Sequence, residues 1–84
     1  MKAGNHYVYI LECGDGSYYT GYTTNIEHRL RRHEQGKGAK YTRGRGPFRL
    51  VYQQSFATKT EAMRAEYELK QLARKEKEKI LFKN

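Results

Sequence analysis

Two short runs near the amino terminus are rich in tyrosine and β-branched residues and alternate in side, which predicts a pair of strands. The first covers 6 to 13, from His6 to Cys13, and the second covers 17 to 23. Gly14-Asp15-Gly16 lies between them and offers the positive φ angles of a tight connection, so a β-hairpin is expected. Thr24-x-x-Glu27 then has the form of a capping box and predicts a helix to about Gln35, where Gly36 and Gly38 stop it. The stretch Ala39 to Pro47, rich in glycine and arginine, is expected as an exposed loop. Arg49 to Phe56 predicts a third strand. A second capping box, Thr58-x-x-Glu61, opens a longer helix to about Ala73. Residues 74 to 82 predict a short last helix whose Ile80, Leu81 and Phe82 fold back on the core. Strands and helices without regular βαβ alternation point to an α+β domain, a small three-stranded antiparallel sheet flanked by helices. The expected domain is single and spans 5 to 82.

Certain polar residues interrupt the apolar stripes. In the longer helix Ala62, Ala65, Leu69 and Leu72 mark the inward face, and Glu66 projects from that same face. A carboxylate there is costly unless a cation or hydrogen bonds compensate it. Two readings stand: a metal ligand, or an ion pair with Lys70 at the favourable i, i+4 spacing. The first helix repeats the pattern, because Arg29 and His33 fall on the stripe begun by Ile26 and Leu30. Either their polar heads are satisfied locally, or they line a cleft. In the second case the guanidinium would grip a phosphate and the imidazole would titrate near neutrality.

The tyrosines form a third group. Tyr7 and Tyr9 share one face of their strand, as do Tyr18 and Thr20, whereas Tyr19 points with Gly21. Gly21 leaves room for a neighbouring group to approach. Tyr18, Tyr52 and Tyr67 are expected as packing residues. A phenol serves as a base near pH 7 only if a neighbouring cation lowers its pKa, and Arg29 is a candidate for that.

Charge narrows the function classes. Lys and Arg number 17 against 9 Asp and Glu, a formal charge of +8, which favours a polyanionic partner, nucleic acid before an anionic membrane. No apolar run approaches the roughly 18 residues of a membrane span. Neither does the amino terminus carry the apolar region of a secretory leader. Cys13 is the single cysteine, so an internal disulfide and a cysteine-rich zinc site are both excluded. It is expected as a small buried residue in a protein of the reducing cytoplasm.

Taken in order, Tyr7-Val8-Tyr9, Tyr19-Thr20-Gly21, Arg29-Leu30-Arg31-Arg32-His33 and Glu66 resemble the motifs of the GIY-YIG nuclease superfamily. The similarity is strongest to its small stand-alone bacterial, YhbQ-like branch, through Gly38-Ala39-Lys40-Tyr41-Thr42-Arg43-Gly44 and Glu66-Tyr67-Glu68-Leu69-Lys70. The first triad keeps only its final tyrosine, and the second keeps its outer two letters. Tyr22 stands where several relatives carry a basic residue: either Lys40 or Arg43 substitutes for it, or activity is weaker or altered.

The resemblance implies metal-dependent phosphodiester hydrolysis in nucleic acid, with DNA favoured over RNA. Glu66 would hold one Mg²⁺ or Mn²⁺ ion. Tyr9 or Tyr19 would be the general base, His33 would orient or relay the proton, and Arg29 would neutralise phosphoryl charge. Lys40, Tyr41, Arg43 and Arg45 would hold the nucleic-acid backbone or stack on a base. Recognition would follow nucleic-acid shape or a protein partner that supplies specificity. The alternative is a binding module that retains the fold without cleavage.

Overall fold

The computed structural model describes residues 5–38 and 42–81. Strands β1 (His6–Glu12) and β2 (Tyr18–Thr23) form the hairpin, helix α1 (Ile26–Glu34) follows, and β3 (Arg49–Phe56) completes the sheet. Helices α2 (Lys59–Gln71) and α3 (Arg74–Leu81) close the described chain. The sheet is antiparallel in the order β2-β1-β3. This is the expected α+β architecture.

β1 is central because its sequence suits burial on both faces. Val8, Ile10 and Leu11 are fully buried and Tyr9 is nearly so. Alternation puts Val8 and Ile10 on one face and Tyr9 on the other. Val8 pairs with Gln54 and Ile10 with Tyr52. Tyr52, Gln54 and Phe56 share a groove with Ala65 and Leu69 of α2 and with Leu72 at its C-cap, so α2 covers that face. The Tyr9 phenol reaches α1 on the opposite side. The register against β3 shifts between Ile10 and Leu11, an irregularity of the kind that twists a strand locally.

Local chemistry sets the connections, with two departures from expectation. Of the hairpin glycines, only Gly16 has a positive φ, at 87°. Gly14 serves close approach instead: its N–H donates to the Arg45 carbonyl at 2.6 Å, and a Cβ there would collide with the Gly46 carbonyl. The N-cap of α1 is Asn25, not Thr24. Its Oδ1 accepts the His28 N–H at 3.1 Å, while Thr23 Oγ1 accepts the Asn25 N–H at 3.1 Å. Thr58 caps α2 as expected, accepting the Glu61 N–H at 3.2 Å. Cys13 is buried. Ile80, however, is 39% exposed and Tyr67 66% exposed, so neither is a core residue. Among the described residues no helix is long and apolar enough to cross a membrane.

Candidate active site

Tyr9 stands at the centre of a buried polar chain. Its hydroxyl accepts from Arg29 Nε at 3.3 Å and lies 2.9 Å from His33 Nε2. On the far side of the imidazole, His33 Nδ1 lies 2.8 Å from Thr42 Oγ1. Tyr9, His33 and Thr42 are each 1% exposed. A proton order that satisfies all four groups runs from Arg29 into Tyr9, from the Tyr9 hydroxyl into Nε2, and from Nδ1–H into Thr42. Burial of a polar network is tolerable because each member has a partner.

Backbone room makes this contact possible. Gly21 pairs directly with Tyr9 across the hairpin. A Cβ on Gly21 would lie 2.5 Å from the Tyr9 oxygen and 2.9 Å from Tyr19 Cε2. A Cβ on Gly38 would run into His33 Nδ1. Glycine at 21 is thus required by the Tyr9 phenol, the close approach that the strand glycine implied.

Titration properties depart from the sequence expectation. Burial first, and the charge of Arg29 second, push the His33 imidazole down to about 4. It is therefore neutral at pH 7 and does not titrate near neutrality. Burial pushes the Tyr9 phenol up to about 12, although Arg29 pulls the other way. The cation expected to depress this phenol is present, and desolvation outweighs it. Arg29 itself is held above its usual value, chiefly by its bond to Tyr9 and also by Tyr19.

Tyr19 and Glu66 complete the cluster. The Tyr19 ring lies 5.4 Å from the His33 ring and 6.3 Å from the Tyr9 ring, centre to centre. Unlike Tyr9 it keeps some open surface. Glu66 is close enough for its charge to act on Tyr9. Its side chain is 12% exposed and pairs with Lys70 at 3.1 Å. Of the two readings of Glu66, the i, i+4 pair with Lys70 is formed.

The basic loop divides. Arg43 is exposed. Arg45 pairs with Asp15 at 2.5 Å and ties the loop to the hairpin turn. Bonds from Ser17 first, and Arg45 after them, pull Asp15 down to about 2. Lys40 and Tyr41 lie outside the described residues. Sequence reasoning did not single out Thr42, because a lone threonine in a loop of glycines and arginines carries no periodic signal.

The family model of the GIY-YIG catalytic domain matches residues 5–79. The chain belongs to the GIY-YIG family. This is a nuclease family, so nucleic acid is the class of substrate to which the fold points. The chain is 65% identical over 77 residues to the UPF0213 protein BH0048 of Halalkalibacterium halodurans, spanning 92% of this chain and 82% of that one. It resembles the solution NMR structure of the UPF0213 protein BH0048 from Bacillus halodurans with a TM-score of 0.60 at 64% identity, over 90% of this chain and 81% of that one. A second solution NMR structure, the protein EF2693 from E. faecalis, gives a TM-score of 0.64 at 47% identity, over 96% and 84% of the two chains. The chain is thus similar to small stand-alone members of the GIY-YIG family.

Proposed function

We propose that this GIY-YIG protein is a metal-dependent endonuclease that hydrolyses phosphodiester bonds in DNA, guided by shape rather than base sequence. The observation that carries the reading is the convergence of Arg29, Tyr9, His33, Tyr19 and Glu66, contributed by four different elements. Arg29 is half-buried, so its guanidinium can hold a phosphoryl group while Tyr9 fixes its Nε. A donor held in advance stabilises the charge that develops as the phosphodiester is attacked. Tyr19, with open surface, is the phenol that can meet an attacking water. Tyr9 and neutral His33 act from below as positioning groups.

Among the described residues no three His, Cys, Asp or Glu side chains converge as a metal cage. One carboxylate, Glu66, fits a hard dication whose other ligands are water and phosphate oxygens, the usual arrangement for Mg²⁺. Mn²⁺ suits the same oxygen ligands. Such an ion would supply charge stabilisation at the leaving oxygen. Lys70 now occupies the Glu66 carboxylate and would have to yield it. The basic loop, with Lys40, Tyr41 and Arg43, would hold the strand by its backbone, and a protein partner would supply further specificity.

A second reading, a binding module without cleavage, draws support from the buried Tyr9 and its raised pKa. Cleavage of single-stranded, duplex, flap and branched DNA with Mg²⁺ or Mn²⁺ separates the two. Wild type should cut at least one substrate, and Glu66→Ala should not, while still binding it. Robust cleavage by Glu66→Ala would remove the metal role of Glu66. Binding without any cleavage by wild type would favour the module.

A further inference from the structure

The outer edge of β2 carries a groove that shares Tyr19 and Lys70 with the site above and adds Tyr18, Thr20 and Lys77. Tyr18, Tyr19 and Thr20 line it from the strand, Lys70 from α2 and Lys77 from α3. Lys70 is shared with Glu66 at 3.1 Å, and with Lys77 beside it the groove still carries a net positive charge, which favours a visiting anion. Burial, then the charge of Lys70, hold Lys77 below the usual lysine value. Lys77 makes no ion pair among the described residues.

Thr20 supplies an independent observation. It is 3% exposed, and its Oγ1 has no hydrogen-bond partner among the described residues. Valine would fill nearly the same volume without leaving a buried hydroxyl unpaired. The groove is also continuous with the candidate active site, since Tyr19 belongs to both and Lys70 reaches Glu66.

We infer that this groove is a subsite for a second phosphate of the nucleic-acid strand, beside the scissile one, held by Lys70 and Lys77 with the Thr20 hydroxyl as a further donor. The inference rests on the nuclease reading for its substrate, and it adds a place on the molecule where the strand continues. A strand held at both Arg29 and the Lys70–Lys77 pair would be fixed in direction across the cluster.

The test needs no cleavage and no divalent metal. Inorganic phosphate and a short single-stranded DNA are titrated separately, with backbone amide NMR shifts and salt-dependent affinity as readouts. Phosphate should shift Tyr18, Tyr19, Thr20 and Lys77 first. Lys77→Gln should weaken phosphate binding several-fold and lower the log–log salt slope for the oligonucleotide by about 0.7. Lys77→Arg should keep both. Lys75→Gln, the same charge loss at an exposed position of α3, should leave phosphate affinity nearly unchanged. Thr20→Val should fold, and should also weaken phosphate binding.

Equal effects of Lys77→Gln and Lys75→Gln would mean that only net charge matters and would overturn the subsite. Phosphate shifts confined to other surfaces would overturn it too. Unchanged phosphate affinity in Thr20→Val would remove the threonine from the site. Phosphate bound here by a protein that never cleaves DNA would retain the subsite and lose the nuclease. Cleavage with no phosphate response at this edge would do the reverse.

Discussion

Thr42 and Thr20 are the same residue type, 1% and 3% exposed, and the chain treats them in opposite ways. Thr42 closes the chain from Arg29 through Tyr9 and His33 with a 2.8 Å contact. The Thr20 hydroxyl has no partner among the described residues. An interior polar group normally finds a partner, so each exception calls for an explanation. The centre around Tyr9 is complete within the protein, which suits a site that must hold its geometry before substrate arrives. The β2 edge is incomplete, which suits a place where the ligand brings the missing acceptor.

The largest expected effect that separates these regions concerns acid. His33 has a folded pKa near 4, below the ordinary histidine value of about 6.5. The unfolded chain therefore binds more protons between those values. The contribution of the closed chain is present above about pH 6.5 and is lost as pH falls toward 4. The loss should be on the order of 3 kcal/mol over that window. Urea unfolding from pH 7 to 4 measures it. His28→Gln, which alters an exposed histidine, should keep the slope, and a slope insensitive to His33→Gln would place the titrating group elsewhere.

The next effect is mutational. Thr42→Val removes the partner of a buried imidazole nitrogen and should cost about 1–3 kcal/mol, most of it recovered by Thr42→Ser. Thr20→Val removes a hydroxyl that has no partner to lose, so it should be neutral or stabilising by about 1 kcal/mol. Thermal melts of both variants test the contrast through its sign. Equal losses would mean that Thr20 is satisfied in solution and that the two regions do not differ.

Much of the scaffold was legible because strands and helix stripes leave periodic marks. The third strand, Arg49–Phe56, and the Thr58 cap are examples. Glu66 and His33 stood out by breaking their stripes. What sequence could not carry was the environment. The pKa of His33 depends on burial against a sheet and on Arg29, neither of which spacing encodes. The start of α1 was misplaced by one residue because Thr24 and Asn25 are both good caps, and bonds between Thr23 and Asn25 decide between them. Tyr67 was expected to pack, yet it lies beside Glu66 on the rim of α2 and is open to solvent. Its neighbours in sequence gave no sign of which side of that rim faces outward.

The most direct test of the central claim is single-turnover cleavage of a branched DNA by wild type and Arg29→Ala, with binding measured in parallel. The claim is that Arg29, fixed by Tyr9, meets the reacting phosphate. Loss of such a donor should slow cleavage by about 10²–10³ with binding retained within a few-fold. Cleavage by Arg29→Ala at the wild-type rate would contradict the account and return the Arg29–Tyr9–His33–Thr42 chain to a purely structural role.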